Sequence, residues 1–394
     1  MIEQIDKQYV LQTYARNYVN FKKGINATLF DDKENDYIDF TSGIGVVSVG
    51  HGNKRVADVI YNQVSNITHI SNLYAIEPQA LLAKRIAQLS SMDVGVFFSN
   101  SGAEANEGAI KLARKYGETQ FEKKRYKVIT LTHSFHGRTI TTVKATGQKS
   151  MHTPNFAPYP EGFSYNHDIE DVYNAIDDQT AAVMIELVQG EGGVQPLEKQ
   201  KVQDLAKFLK EKKILLIVDE VQTGVFRTGE FLASNLYEIN PDIITMAKGL
   251  GGGVPIGAVV TTHKDILSAG DHGSTFGGNY LSTSAALEVL NILEETKDSG
   301  ALDETIIHFQ DKVTKLYENH KRLFTKTVGL GLMRGLRVID ADTLSAIIKE
   351  AFNCGVLVLK AGKHTLRLLP PLTISKEEIN EGFKRLENAL SKIK

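Results

Sequence analysis

Asp219 and Lys248 are the two residues from which a chemistry can be read. Each closes a strand-like run. Ile214-Leu215-Leu216-Ile217-Val218 is wholly apolar, the pattern of a parallel strand covered on both faces, and it ends in Asp219-Glu220. Asp242-Ile243-Ile244-Thr245-Met246-Ala247 ends in Lys248. An open α/β sheet binds its ligand at the carboxyl ends of its strands, so these side chains, 29 positions apart (248 − 219), are expected to face one crevice. A carboxylate and an amine there suit pyridoxal phosphate. The amine forms a Schiff base with the aldehyde. The carboxylate keeps the pyridine nitrogen protonated, so the ring can absorb the electrons of a carbanion. The competing reading is an ordinary ion pair, or two solvated strand ends, and either residue alone would favour it. The run Gly249-Leu250-Gly251-Gly252-Gly253 tips the balance, because glycines let the backbone crowd close to a bound ring.

Other stretches gain meaning beside that pair. Ser99-Asn100-Ser101-Gly102-Ala103-Glu104 lies between a strand and a helix, and Ser101 with Glu104 has the spacing of a capping box. The free N–H groups and positive dipole end of that helix make an anion site, and Gly102 lets a phosphate approach. Without a cofactor nearby this would be only a capped helix. In Ser134-Phe135-His136-Gly137-Arg138 an aromatic could stack on a ring and an arginine could fork a carboxylate. His136 reads as a packed loop histidine, not a base. Glu186 to Gly193 ends another strand and brings Glu186 and Glu191 near the crevice, unless each is merely solvated. Arg367 sits in the apolar run 366–371, where a buried guanidinium would need a partner.

The elements that must position these residues follow from the hydrophobic pattern. With 394 residues the chain is too long for one core. Residues 1–50 read as a mainly irregular N-terminal segment, expected to pack with the smaller C-terminal domain, with a short strand at Tyr37–Phe40. From 51 to 278 helical and strand patterns alternate. Helices are predicted around Val56–Val64, Leu82–Leu89, Ser101–Tyr116 and Val202–Leu209. Strands are predicted at Val94–Phe98, Tyr126–Leu131, Ala181–Leu187 and Ile256–Thr261, besides the two that carry Asp219 and Lys248. This predicts an α/β fold with a mostly parallel sheet sandwiched by helices. From 279 to 394 a long helix at Leu281–Thr296 and another at Ile306–Phe324 precede short strands near Met333–Val338, Val356–Leu359 and Leu366–Leu369. A last helix starts at Ser375. That is a smaller α+β domain, and the cleft is expected where the two meet.

Composition narrows the class. Charged residues are 23% and the net charge is −2, which argues against a nucleic-acid or anionic-membrane surface. Cys354 is the only cysteine, so an internal disulfide and a multi-cysteine zinc site are excluded, and no metal is expected. Neither a signal pattern nor a membrane-length apolar run is present, and a cytoplasmic protein is expected.

The set DEVQTG…AKGLGGG, SNSGAEANEGAIKLAR, FHGRT and GSTFGGN resembles the class III pyridoxal-phosphate aminotransferases, nearest to the acetylornithine group. The resemblance covers nearly the whole chain. It implies a fold type I transferase and a homodimer with composite active sites. By position, Lys248 is similar to the Schiff-base lysine and Asp219 to the pyridine partner. Val221 matches the residue behind the ring and Gln222 the one at the phenolic oxygen. Gly102 and Ala103 match the phosphate cup, and Phe135 the stacking aromatic. Arg138 matches the distal-carboxylate site, Arg367 the α-carboxylate site and Glu191 its gate. Ser274 and Thr275 match contacts reaching in from the other subunit, Thr275 to the phosphate.

Two departures matter. Relatives often carry Gly-His-x-His-Pro where this chain has Gly50-His51-Gly52-Asn53, with little consequence expected. Ornithine aminotransferases have a tyrosine where Ile44 stands, and an apolar residue suits an acylated amine better. The implied reaction moves the terminal amine of N-acetylornithine to 2-oxoglutarate. Succinyl-diaminopimelate, ornithine and 4-aminobutyrate are alternative donors. An aminomutase or racemase on the same fold is a rival enzyme. A non-catalytic nucleotide-phosphate module is a rival of another class, disfavoured because the glycines follow Lys248 instead of opening a GxGxxG turn.

Overall fold

The computed structural model describes residues 2–393. Seven strands form the central sheet: β1 (Gly95–Ser99), β2 (Lys127–Leu131), β3 (Phe163–Asn166), β4 (Thr180–Ile185), β5 (Leu215–Asp219), β6 (Ile243–Met246) and β7 (Gly257–Thr261). Their order is β1-β7-β6-β5-β4-β2-β3. The pairs from β6 to β3 are parallel. β7 runs antiparallel to both neighbours. The stretch 247–256 before it is too short to hold the crossover helix that a parallel return needs.

Alternation along β5 shows how the sheet is covered. Leu215 and Ile217 pack with Ala105, Ala109 and Ala113 of helix Gly102–Thr119. Leu216 and Val218 pack with Val202, Leu205 and Leu209 of helix Lys199–Lys212. Successive side chains point to opposite faces, so an apolar run five residues long needs a helix layer on each side. The mostly parallel α/β sheet predicted from the sequence is present, with helices on both faces.

The N-terminal stretch differs from the irregular segment expected. It holds helix Ile2–Tyr9 and strands Phe21–Ile25, Thr28–Asp31 and Asp36–Asp39. The last of these pairs in parallel with Val356–Leu357, a partner more than 300 residues away that local patterning cannot reveal. Phe324 closes no helix. The helix is Ala301–Asn319, and Phe324 opens strand Phe324–Leu330, which pairs with Met333–Val338. Val356–Leu359 is not one strand. Val356–Leu357 joins the N-terminal sheet, while Leu359–Ala361 joins Thr365–Leu368 in another. β3 and helices Ile169–Ala175 and Ala341–Asn353 were not predicted. Helix Lys376–Ser391 is capped by Ser375 in a full box with Glu378.

Candidate active site

A cavity of about 390 Å³ opens at the carboxyl ends of β5 and β6. Lys248, Asp219, Val221 and Gln222 line it, as do Gly102, Ala103, Phe135, Arg138 and Glu191. The pairing of β5 with β6, Asp219 opposite Thr245, brings the two strand ends together.

Asp219 continues the alternation Leu215–Ile217 and so points to the face covered by helix Gly102–Thr119. There Asn106 Nδ2 donates to its Oδ2 at 2.8 Å. His136 Nδ1 donates to the same oxygen at 2.8 Å, and Val221 N donates to Oδ1 at 3.1 Å. A carboxylate only accepts, so His136 must carry its proton on Nδ1 here. Asn106 Nδ2 also donates to the His136 carbonyl at 2.7 Å. The carboxylate is fully buried and held from several sides. Glu220, next along, turns to the other side and accepts from Ala233 N and from Ser234 N and Oγ.

His136 is the packed loop histidine expected, but its bond to Asp219, like that of Asn106, was not foreseen. Asn106 had a usable signal, because it lies four residues after Gly102 and so on the same helix face. His136 had none of its own. Its partner comes from a strand 83 residues later.

Lys248 opens a short helical turn, Lys248–Leu250, with a left-handed φ of 44°. A non-glycine residue in this region stores strain of the kind that collects at functional sites. The side chain opens onto the cavity. The protein packed around the amine, and after it the charge of Arg367, lower its pKa to about 8, against the pull of Glu191, Asp219 and Glu186. Ser48 Oγ donates to the Gly249 carbonyl at 2.7 Å and fixes the backbone next to the lysine.

Arg367 is buried and meets Glu191 at 2.6 Å between Nη1 and Oε1. Its Nη1 also lies 3.4 Å from Gln222 Oε1. Arg367 therefore stands behind Glu191 instead of lining the cavity itself. Glu186 is buried without a cation. It accepts from Phe135 N at 2.9 Å and Gly190 N at 3.2 Å, clamping the Phe135 loop to the Glu191 loop. Burial, helped by the charge of Asp219, pushes its carboxyl up to about 7.

The predicted capping box at Ser101 is half present. Ser101 Oγ accepts from Glu104 N at 3.2 Å, but Glu104 reaches past Ser101 to Asn100 N at 2.6 Å and Asn100 Nδ2 at 2.9 Å. The extended Ser101 backbone, with φ −155° and ψ 164°, opens the chain there. Gly102 and Ala103 begin the helix, so their N–H groups have no intrahelical partner. A Cβ on Gly102 would lie 2.7 Å from Val221 Cγ1, so only glycine fits beside the residue expected behind the ring.

The exposed Arg138 guanidinium lies 5.7 Å from the Phe135 ring centroid. Ser274, Thr275 and Ile44 do not line the cavity; Val46 does. Ser274 Oγ accepts from Asn100 Nδ2 at 3.1 Å, and Thr275 and Phe276 are exposed. Ile44 lies in a turn two residues before Val46. Among the described residues no cluster of His, Cys, Asp or Glu is arranged to hold a metal, and no helix is long and apolar enough to cross a membrane.

A carboxylate with its donors already arranged, an amine of lowered pKa, a half-buried aromatic and an unpartnered helix N-terminus fit pyridoxal phosphate in four separate ways. The family model for class-III aminotransferases matches residues 10–390. The chain belongs to that family. It is an aminotransferase, its cofactor is pyridoxal 5′-phosphate, and its substrates are an amine donor and an oxo acid. Over its full length it is 57% identical to the acetylornithine aminotransferase of Wolinella succinogenes, with 100% of each chain covered. It is similar in structure to the ornithine aminotransferase of Toxoplasma gondii ME49, with TM-score 0.93 and 31% identity over 99% of this chain and 94% of that one. A second structure of the Toxoplasma gondii enzyme, crystallised with oxidised glutathione and described with partial occupancy of the cofactor, gives TM-score 0.92 and 31% identity over 100% and 94%.

Proposed function

We propose that the enzyme moves the terminal amine of N-acetylornithine to 2-oxoglutarate, giving N-acetylglutamate 5-semialdehyde and glutamate, a step of arginine biosynthesis. The observation that carries this reading is the Glu191–Arg367 pair at the cavity wall. N-acetylornithine has no carboxylate on its reacting carbon, whereas glutamate has one. A guanidinium that is covered for the first and uncovered for the second lets one cleft serve both. The full-length likeness to an acetylornithine aminotransferase supports the donor.

When bound, pyridoxal phosphate supplies an electron sink that makes a substrate carbon acidic. Lys248 Nζ takes the proton from that carbon. A pKa of about 8 leaves a neutral fraction near neutral pH, which a general base requires. Asp219, oriented by Asn106 and His136, would pair with the pyridine nitrogen. Gly102 and Ala103 would hold the phosphate on their N–H groups, and Phe135, Val221 and Gln222, which line the same cavity, would hold the ring. Arg138 binds the distal carboxylate of either substrate, Arg367 binds the carboxylate beside the reacting carbon of 2-oxoglutarate, and Ile44 packs on the acylated end of the donor.

The working unit in this reading is a homodimer in the cytoplasm. Thr275 reaches the phosphate of the neighbouring subunit's site and Ser274 lies beside it. Phe276 is 60% exposed in the single chain, which suits a segment that a second copy covers. The chain divides at 50 and 278, with the first part joined to the last. The pairing of Asp36–Asp39 with Val356–Leu357 supports that grouping.

A donor panel with 2-oxoglutarate tests the function. N-acetylornithine should exceed ornithine, succinyl-diaminopimelate and 4-aminobutyrate in kcat/KM by about tenfold or more, the size of discrimination one apolar contact can give. Ornithine as the best donor would overturn it.

A further inference from the structure

His51 belongs to the motif that departs from the family pattern, and its side chain has an unassigned partner. His51 Nε2 donates to Asp39 Oδ2 at 2.8 Å, and the Asp39 side chain is only 2% exposed. The other oxygen of Asp39 accepts from Thr41 N at 2.8 Å, Thr41 Oγ at 2.6 Å and Ser42 N at 3.0 Å. These donors begin a turn in which φ is positive four times running: Ser42 41°, Gly43 64°, Ile44 67° and Gly45 77°. Ser42 and Ile44 carry side chains, so sterics oppose this left-handed course, and something must hold it.

The turn is joined to both halves of the site. Ser42 Oγ donates to the Leu369 carbonyl at 2.6 Å, two residues beyond Arg367. Ser48 Oγ donates to the Gly249 carbonyl, next to Lys248. Val46, just past the turn, lines the cavity. His51 is a firm anchor because its own backbone pairs both ways with Asn26, at 2.9 and 2.8 Å. With Oδ2 fixed by His51, Oδ1 is aimed at Thr41 and Ser42. Without that bond the carboxylate loses its outer anchor and is held only by the turn it is meant to hold, through Oδ1.

We propose that His51 and Asp39 are positioning residues that hold the Ser42–Gly45 turn in its left-handed form and so shape the mouth of the cleft, where Val46, just past the turn, lines the cavity that takes the amine donor. The proposal rests on the function proposed above only for the identity of that donor. A turn that spends part of its time released weakens donor binding in proportion to the held fraction, while Asp219 keeps its own donors Asn106, His136 and Val221 N and Ser48, beyond the turn, keeps its bond to the Gly249 carbonyl.

The test uses full-length holoenzyme with His51→Leu, His51→Gln and Asp39→Asn. Hydrogen exchange of the amides in 41–48 reads the turn, visible absorbance reads cofactor retention, and steady-state kinetics read the donor. His51→Leu should speed exchange in 41–48 and raise the KM for N-acetylornithine about tenfold, the equivalent of one charge-assisted hydrogen bond. The kcat and the cofactor band should stay unchanged. His51→Gln, whose amide N–H can reach Asp39, should restore both readings. Asp39→Asn should shift them in the same direction as His51→Leu and serves if that variant does not fold. Unchanged exchange in 41–48, or a loss in kcat with KM unmoved, would overturn the proposal. If another amine proves to be the donor, the function reading fails, while the exchange result and that amine's KM still decide this one.

Discussion

Removing the carboxylate of Glu191 separates the two half-reactions. The Arg367 side chain is 3% exposed and that of Glu191 33%, at 2.6 Å. An exposed ion pair is worth roughly 0–1 kcal/mol, and breaking a buried one costs roughly 3–5 kcal/mol. This pair has one end in each regime, so opening it costs about 2 kcal/mol, or roughly 30-fold in a rate or equilibrium constant. In Glu191→Ala the glutamate carboxylate meets a guanidinium already uncovered. The half-reaction of the pyridoxal form with glutamate should then gain up to about 30-fold in kcat/KM. The half-reaction with N-acetylornithine should slow, because Arg367 is left uncompensated beside a neutral part of the donor. Lys248 should also drop further below its pKa of about 8, since the Arg367 charge lowers it and the Glu191 charge opposes that. Stopped-flow absorbance of each isolated half-reaction measures the split. Equal slowing of both halves would mean that Glu191 is a structural residue and that the gate reasoning is wrong.

Lys248→Ala should keep the cofactor through the helix N-terminus yet lose transamination by orders of magnitude, as steady-state assays and a visible spectrum would reveal together. Asp219→Ala should cut turnover far more than substrate binding. NMR of nitrogen-labelled cofactor should find the ring nitrogen deprotonated, and an unchanged protonation state would refute the pairing. Thr275→Ala should weaken cofactor retention, and so should dilution of the natural enzyme below its dimer dissociation constant. A monomer that holds cofactor equally well would remove the shared-site idea. For Glu186 the folded carboxyl titrates near 7, against 4.5 for an ordinary glutamate. The folded state therefore keeps a proton between those values that the unfolded chain has lost. That contribution is fully present below about pH 4.5 and disappears as pH rises through 7, an effect of about 3 kcal/mol. Urea unfolding of the cofactor-free protein should show Glu186→Gln flattening the pH dependence across that window.

Much of the site was legible because its key residues end regular elements. Short continuous apolar runs suit a strand covered on both faces, so the strands leading to Asp219 and Lys248 could be placed. Their shared crevice followed from strand direction. The helix start at Ser101 was legible for a similar reason, although the direction of Glu104 was not. What stayed hidden depends on partners far along the chain. The His136–Asp219 bond joins a loop to a strand 83 residues on. The N-terminal strands carry short, mixed sequences such as FKKGI and TLFD, whose pattern says little until they pair. Phe324 looked helical because it follows the spacing of the helix before it, while it opens a strand whose partner, Met333–Val338, lies further along the chain.

The joining of the two chain ends bears on how the protein is made. Asn26, Ala27 and Thr28 are all gripped by Glu378, which accepts from Asn26 Nδ2 at 2.5 Å, Ala27 N at 2.9 Å and Thr28 Oγ at 3.0 Å. Phe40 packs its ring 5.3 Å from those of both Phe309 and Phe383. During synthesis residues 26–28 must wait, their partner still untranslated, until Glu378 has followed. The central sheet can assemble in that interval, since its strands run in one continuous block from 95 to 261. The turn at the cleft mouth cannot, because Leu369 anchors it. A chain released early would carry a folded sheet with an unfinished mouth, and its unpaired N-terminal strands would be open to pairing with the wrong chain.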